Sequence, residues 1–234
     1  MSQRRACDLT ASERATIISQ SEAGRGLDQE ALSRLAANSV VIDFRRRRFV
    51  YNSGDLADSL YLIARGRIKL CCIEAGTGRE AVIDILSTGA LFGESALFGE
   101  SLRDKSAEAY ENARCVRIPV NDFQVAMASN QELYDYTFRL VGGRLSRAER
   151  RRADFALDAI PARLEKLLAE LSERYGRSAD GGVLIDLALP HREIASILGS
   201  TRESVTVRLN YMKRAGIIDF VDRKILIKNS QAAV

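Results

Sequence analysis

The chain of 234 residues has no long apolar segment. No run approaches the ~18 consecutive apolar residues that a membrane-spanning helix requires. The N-terminus carries the pair Arg4-Arg5 with no apolar stretch behind it, which is not the pattern of a secretory signal. These absences predict a cytoplasmic protein that does not enter a membrane.

Histidine and cysteine are scarce, and this limits the chemistry that the chain can carry out. There is one histidine, His191, and the four cysteines are Cys7, Cys71, Cys72 and Cys115. The cysteines lack CxxC spacing, so neither disulfides nor a metal site is expected. No nucleophile motif and no set of metal ligands is present, which indicates that the protein is not an enzyme.

Charge is distributed unevenly along a chain that is long enough for two domains. Residues 139–234 contain 18 Lys and Arg against 12 Asp and Glu, whereas residues 1–138 contain 17 against 19. The excess of positive charge therefore lies in the C-terminal part. Solvated basic faces are common, but a basic half-chain behind a near-neutral one favours a polyanionic partner for that half.

The N-terminal half has the pattern of an all-β domain. Residues 1–26 are polar and indicate a tail or a short helix, and residues 27–130 form the predicted β domain. Its short apolar runs are VVIDF, RRFVY, SLYLIA, RIKLCCI, AVIDIL, ALFGESALF and CVRIPV, separated by glycines. Strand-length runs bounded by glycine predict a β-roll or barrel. Residues 45–48, four arginines, are either an anion-binding patch or solvent-facing positions beside a turn.

The C-terminal half has the pattern of helices followed by a small sheet. Residues 131–157 lack proline and show helical spacing of apolar side chains, with a very basic second half. Pro161 then opens a predicted helix that ends near Tyr175, followed by a loop over residues 176–182. A strand VLIDLAL, two helices separated by Gly199 and a hairpin IIDF-VDRK-ILIK complete the predicted domain of residues 158–234.

The segment LPHREIASILGSTRESVTVRLNYMKRAG, residues 189–216, has the pattern of a helix-turn-helix. Gly199 permits the tight turn, and Ser200 and Glu203 have the spacing of a capping box. Apolar positions of the second helix predict a buried face, which leaves Arg202, Glu203, Thr206 and Arg208 pointing outward. In a helix-turn-helix the start of this second helix enters the major groove. The alternative is an ordinary helix pair with solvated charges.

These motifs closely resemble the Crp/Fnr family of transcription regulators. REIASILGSTRESV is similar to the family's helix-turn-helix, and the segment from SGDLADSLYLIARGRIKL to GESALFGE is similar to its cyclic-nucleotide-binding β-roll. The resemblance extends over about residues 40–228. It implies a homodimer, formed through the helix at residues 131–157, that binds double-stranded DNA at a palindromic operator and works with RNA polymerase.

The same resemblance implies roles for individual residues of the DNA-binding segment. Base reading is implied for Arg202 and Glu203, and proximity to phosphates is implied for His191, Arg192, Thr201 and Lys224. Arginine can bind guanine with two hydrogen bonds and glutamate can accept one from cytosine. The set of expected DNA-binding residues comprises these six together with Ser200, Thr206, Val207 and Arg208. One departure from the family pattern is Val207, where relatives have a second base-reading arginine.

A second resemblance, to the phosphate-binding cassette of cyclic-nucleotide domains, predicts an effector pocket. Its expected residues are Gly93, Glu94, Ser95, Arg103, Lys105 and Ser106. Lys105 takes the place of the phosphate-binding arginine, and lysine cannot reproduce bidentate phosphate binding. Ala148-Glu149 also stand where cyclic-AMP binders have hydroxyls for the purine, so we do not expect cyclic AMP as effector. Alternatively, the cassette survives only as a turn of the roll.

Two other sensing modes of the family lack the residues they need. An iron–sulfur cluster requires about four clustered thiolates, whereas Cys7 stands alone near the N-terminus. Haem ligation by histidine is disfavoured because His191 lies in the helix-turn-helix. Cys71 and Cys72 point to opposite faces if they are on a strand. We interpret them as a buried pair of small apolar residues, with a redox role as the minor alternative.

The sequence thus predicts an α+β protein. It combines a cyclic-nucleotide-binding-type β-roll, also described as a double-stranded β-helix or jelly roll, with a long dimerisation helix and a C-terminal winged helix-turn-helix. The predicted function is sequence-specific DNA binding, with no cofactor and an effector other than cyclic AMP or none. An alternative is a nucleotide-binding module whose C-terminal domain docks a protein. Neither the effector's identity nor the direction of regulation follows from the sequence.

Overall fold

The computed structural model describes residues 5–7 and 9–229. The chain forms two compact units, Met1–Ser146 and Arg147–Val234, each with its own internal contacts. None of the described helices is long and apolar enough to cross a membrane. The predicted domain boundaries at residues 26, 130 and 157 remain predictions.

The first unit begins with strand β1 (Arg5–Cys7) and two helices, α1 (Ala11–Ser19) and α2 (Gln29–Ala37). Helix α1 starts at a capping box: the Thr10 hydroxyl accepts a hydrogen bond from the Glu13 N–H, and the Glu13 carboxylate accepts one from the Thr10 N–H. Ile18 on α1 is buried in the core of the unit. The short helix expected in residues 1–26 is therefore part of the packed structure.

Two antiparallel sheets form the predicted β-roll. The strands are β2 (Val40–Phe44), β3 (Phe49–Tyr51), β4 (Ser59–Arg65), β5 (Arg67–Ile73), β6 (Glu80–Ser87), β7 (Leu91–Phe92), β8 (Ser106–Ala109) and β9 (Ala113–Pro119). One sheet has the order β1-β2-β9-β4-β7 and the other β3-β8-β5-β6. Consecutive strands are often in different sheets, so the chain coils from one sheet to the other. The β-roll prediction is confirmed.

Glycine permits the tightest of the turns in this roll. Gly66, which joins β4 to β5, has a φ of 86°, a conformation that costs other residues strain. A Cβ atom at this position would lie 2.4 Å from the carbonyl oxygen of Asn112. Backbone therefore passes close to backbone here, and a side chain would force the two segments apart.

The apolar side chains of the first unit pack in two clusters. One lies between the sheets and includes Tyr51, Tyr61, Ile68, Phe92 and Cys115. The other joins the sheet of β2, β4 and β9 to helices, including α3 (Val120–Ser129) and the start of α4 (Gln131–Leu157). Helix α4 has the bounds that its sequence pattern predicts.

The second unit is a helix-turn-helix beside a four-stranded sheet. Its helices, after the end of α4, are α5 (Ile160–Tyr175), α6 (His191–Leu198) and α7 (Arg202–Arg214). Its strands are β10 (Gly176–Ala179), β11 (Gly182–Ile185), β12 (Ile218–Val221) and β13 (Lys224–Lys228), in the order β10-β11-β13-β12. Four leucines of α5 are buried on one face, as predicted: Leu164, Leu167, Leu168 and Leu171.

Two local predictions in this unit are wrong. Residues 176–179 form strand β10 and pair with β11, whereas a loop was expected over residues 176–182. Their side chains are mostly exposed, so no apolar alternation signals the strand. The strand predicted over residues 183–189 ends at Ile185, where the Leu187 N–H donates to the Ile185 carbonyl oxygen and the chain turns.

Candidate nucleic-acid interface and sensor pocket

Gly199 closes the turn between α6 and α7 in a left-handed conformation, with a φ of 56°. The ring of Phe155 packs against it, and a Cβ atom at this position would lie 2.9 Å from the Phe155 ring. On the same ring sits the guanidinium of Arg163, 4.6 Å from its centroid. These contacts fix the turn on which the orientation of α7 depends.

The cap of α7 lies one residue later than predicted. The Thr201 hydroxyl accepts a hydrogen bond from the Ser204 N–H at 3.2 Å, so Thr201 is the N-cap. The capping box expected for Ser200 and Glu203 is therefore wrong. Ser200 instead belongs to the end of α6, since its N–H donates to the Ala195 carbonyl oxygen. The Glu203 side chain is left exposed beside Arg202.

Helix α7 separates a buried face from an exposed one, as its sequence predicts. Val205, Leu209 and Met212 are buried. Arg202 and Glu203 are exposed at the first turn, and Val207 is 68% exposed. The N-terminal part of this helix is therefore open to a partner that approaches from outside the unit.

His191 and Thr206 connect α6 to α7 through a chain of hydrogen bonds. The Thr206 hydroxyl donates to the Arg202 carbonyl oxygen at 2.8 Å, and it lies 2.8 Å from Nδ1 of His191. Because the hydroxyl has a single hydrogen, both contacts are satisfied together when Nδ1 carries a proton and donates it to Thr206. Burial, followed by the charge of Arg202, lowers the pKa of His191 below its ordinary value of 6.5.

Two of the cations expected to bind DNA are paired with carboxylates inside the unit. Nη2 of Arg208 lies 2.5 Å from Glu165, and its guanidinium stacks 4.7 Å from the ring centroid of Tyr211. Nζ of Lys224 lies 2.5 Å from Asp186. Sequence reasoning missed both carboxylates because they are 43 and 38 residues away along the chain. Arg192, by contrast, is exposed.

The predicted cassette lies at a sharp turn of the roll. Gly93 has a φ of 84°, and the short 3₁₀-helix Glu94–Phe98, which includes Ser95, follows it. Arg103 is only 2% exposed and lies against this turn. Its guanidinium donates to the carbonyl oxygens of Gly93 at 3.0 Å and Ser59 at 2.5 Å. It also lies 4.4 Å from the ring centroid of Tyr51.

Arg103, and not Lys105, is the cation beside Gly93, so the placement expected for Lys105 is wrong. The Arg103 N–H donates to the Asp55 carbonyl oxygen, and its own carbonyl oxygen accepts from Gly54, which pins the backbone there. The chain then bends, and Nζ of Lys105 pairs with the neighbouring Asp104 at 2.8 Å. Ser106 accepts a hydrogen bond from the Ser53 N–H.

Glu94 already has a partner within the protein. Its carboxylate forms an ion pair with Arg144 of α4, and the same guanidinium donates to the Leu91 carbonyl oxygen at 2.6 Å. Both side chains are largely buried. The sequence reading placed Arg144 in the basic cluster of the long helix, since nothing local connects it to residue 94. Arg144 therefore lies against the predicted cassette.

The described cysteines differ in their surroundings. Cys71 and Cys115 are buried, whereas Cys72 is exposed, so the interpretation of Cys71 and Cys72 as a buried pair is wrong for Cys72. Burial raises the pKa of Cys71 to about 12 and keeps its thiol protonated. Within the described residues, no group of three His, Cys, Asp or Glu side chains could hold a metal ion.

Comparison with known proteins agrees with this architecture. Residues 41–130 match the cyclic nucleotide-binding domain, and residues 162–232 match the Crp-like helix-turn-helix domain. A CRP-like cAMP-activated global transcriptional regulator of Mycobacterium tuberculosis is 27% identical over 215 residues, which cover 92% of this chain and 96% of that protein. The global nitrogen regulator of Synechococcus elongatus is 27% identical over 191 residues, 81% of this chain and 86% of the relative.

Solved structures share the fold. The c-di-GMP responsive global regulator CLP of Xanthomonas campestris has a TM-score of 0.73 at 21% identity, with 87% of this chain and 100% of that chain covered. A CooA mutant of Carboxydothermus hydrogenoformans has a TM-score of 0.74 at 19% identity, with 97% and 95% covered. A nucleotide-binding-type β-roll followed by a winged helix-turn-helix defines a class of transcription regulators. The chain belongs to the Crp/Fnr family within that class.

The half-buried His191 predicts a pH-dependent stability. Protonation keeps the hydrogen bond from Nδ1 to Thr206 but places a charge in a half-buried site beside Arg202. Because the folded-state pKa is lowered, the neutral form of His191 favours the folded protein. Its contribution to folding stability is fully present above pH 6.5 and is lost as the pH falls through the folded-state pKa. We expect the melting temperature to fall less between pH 7.5 and 5.5 in His191→Gln than in the wild type. Equal slopes in differential scanning fluorimetry would contradict this.

Proposed function

We propose that this Crp/Fnr-family protein is a homodimeric transcription regulator that binds a palindromic DNA operator through α7. The observation that carries the proposal is the exposed pair Arg202 and Glu203 at the start of a capped helix whose opposite face is buried. The first turn of such a helix reaches base edges in the major groove. Relatives that cover most of this chain are named as global regulators, one of them as a transcriptional regulator.

The chemistry of these two side chains favours a guanine·cytosine pair. Arginine can bind O6 and N7 of guanine together, and glutamate can accept a hydrogen bond from N4 of cytosine. Arg192, exposed in the first turn of α6, and Thr201, the exposed N-cap of α7, suit phosphate contacts. His191 on α6 contacts Thr206 on α7, and the Ser200 N–H bonds to the end of α6. These three residues therefore support the recognition helix. Arg208 and Lys224 would have to leave Glu165 and Asp186 to reach phosphates.

An apolar stripe on α4 supports the dimer. Tyr134, Phe138 and Leu145 are 39%, 63% and 59% exposed, respectively. At 100° per residue they fall within about 40° of one another on the helix surface. The rings of Tyr134 and Phe138 contact each other at a centroid distance of 4.7 Å. A second α4 packed against this stripe would bury it, and a two-fold dimer matches a palindromic operator.

We further propose that the effector is a molecule other than cyclic AMP, or that none is required. Lys105 no longer supports this, because Arg103 supplies a guanidinium at the cassette. Support comes from Ala148-Glu149, which lack hydroxyls for a purine, and from the ion pair that neutralises Glu94. A regulator of this kind would act in the cytoplasm, together with RNA polymerase.

Loss of the guanine contact should weaken specific binding. Arg202→Ala is expected to cost ~1–3 kcal/mol on the selected operator and much less on unrelated DNA. Fluorescence anisotropy with both duplexes at two salt concentrations measures the difference, and Arg79→Ala, which removes an exposed arginine of the β-roll, is the charge control. Equal losses on both duplexes would make Arg202 a phosphate contact.

A charge on the α4 stripe should separate the protomers. Phe138→Asp would place a carboxylate in the centre of the proposed interface, where a second chain buries it, and we expect a monomer with weak operator affinity. Light scattering measures the mass. Arg139→Ala, an exposed neighbour on the same helix, should leave the dimer intact. A wild type that binds its operator as a monomer would refute the proposed assembly.

Cyclic AMP should bind weakly or not at all. We expect isothermal titration calorimetry to show no saturable heat at concentrations that saturate cyclic-AMP-dependent family members, and operator affinity to remain unchanged. Arg103→Lys tests the cassette directly, because lysine lacks the two parallel donors of a guanidinium. Tight binding by the wild type that raises operator affinity and is lost in Arg103→Lys would identify cyclic AMP as the effector.

A further inference from the structure

The outward face of α7 continues beyond the first turn. Glu203, Val207 and Asn210 are all exposed. At 100° per residue, Val207 lies about 40° and Asn210 about −20° from Glu203, so the three form one stripe on the helix surface. The buried Val205 lies on the opposite side of the helix, about 200° from Glu203. A partner that contacts Glu203 therefore also faces Asn210.

The neighbouring side chains on the same part of the helix are held by other contacts. Arg208 is directed to Glu165 and Tyr211 on the flank of the stripe. Thr206 is bonded to the Arg202 carbonyl oxygen and to His191. The central turns of α7 thus present only Val207 and Asn210 to a partner that lies along the stripe.

The side chain of Asn210 is free to bind such a partner. No hydrogen bond from its amide group is formed with any part of the chain that the structure describes; only its backbone carbonyl oxygen accepts a bond, from Nε of Arg214 at 3.4 Å. An amide carries a donor and an acceptor side by side. In the major groove this pair matches N7 and the N6 amino group of adenine, which asparagine can bind with two hydrogen bonds.

We propose that Asn210 is a second base-reading residue, which selects adenine in each half-site. The inference rests on the proposed DNA-binding function and adds a specificity to it. Asn210 is three residues beyond Val207, which corresponds to about 4.5 Å along the helix, against about 3.4 Å per base pair. The selected adenine therefore lies one to two base pairs beyond the position that Val207 faces, where methyl groups favour thymine.

Binding-site selection with the full-length wild type tests this first. We expect a guanine·cytosine pair, a thymine-leaning position and then an adenine, in that order along each half-site. Replacing the adenine with any other base should lower affinity about tenfold or more, as for other bidentate base contacts. A selected site without a preferred adenine would overturn the proposal.

Variants then assign the preference to the side chain. Asn210→Ala should bind operators with all four bases at that position within about twofold of one another, while it keeps the guanine·cytosine preference. Lys213→Ala, on the same helix but paired with Asp219 off the stripe, is the matched control and should keep the adenine preference. Thermal unfolding confirms that the variants fold, since alanine at an exposed helical position is favourable.

The failures of the two proposals are distinguishable. If Asn210→Ala lowers affinity equally on every sequence, the amide binds a phosphate and the base-reading role is wrong, whereas the regulator function stands. If the wild type prefers no sequence at all, both proposals fail. Val207→Arg should convert the thymine-leaning position to guanine and leave the adenine preference unchanged. This result would separate the base preference set by residue 207 from that set by Asn210.

Discussion

A buried guanidinium, that of Arg103, organises the β-roll of the first unit. Removing the charge of Arg103 from water is costly unless hydrogen bonds compensate it. The compensation comes from the carbonyl oxygens of Ser59 and Gly93 and from the face of Tyr51. These groups lie on β4, at the cassette turn and on β3, so one side chain ties three parts of the roll together. Glu94 directly follows Gly93 in the chain, and its carboxylate pairs with Arg144.

The DNA-binding unit uses its charges differently. Carboxylates on other elements hold the cations on the flanks of α7 and of the wing: Glu165 binds Arg208, and Asp186 binds Lys224. The side chains of the outward stripe of α7 form no hydrogen bond or ion pair with any residue that the structure describes. Flanking charges thus contribute to the geometry of the unit, and the exposed groups of the stripe are the ones proposed for recognition. Single ion pairs of this kind contribute little stability, so their main effect is on side-chain direction.

Features with a local signal could be predicted from the sequence. The apolar spacing of α5 and α7, the bounds of α4 and the glycine-separated strands of the roll all follow from periodicity over a few residues. The Thr10–Glu13 capping box also has such a signal, although it was overlooked. The family resemblance correctly indicated the two domains that match residues 41–130 and 162–232.

Features that depend on distant residues could not be predicted in this way. The pairing of Arg144 with Glu94 and of Arg208 with Glu165 joins segments that no periodicity relates. Arg103, and not Lys105, lies beside Gly93 because backbone hydrogen bonds to Gly54 and Asp55 hold residue 103 and the chain bends at residues 104–105. Strand β10 lacks apolar alternation because its side chains are solvated.

The exposure of Val207 has a consequence for evolution. Substitutions at surface positions without internal partners usually change folding stability by less than about 0.5 kcal/mol. A replacement at residue 207 is therefore expected to retain the fold, the cap at Thr201 and the pairing of Arg208. If residue 207 faces the operator as proposed, single codon changes at this position would move descendants of one ancestral regulator to new sets of genes. The protein's stability places no barrier on that divergence.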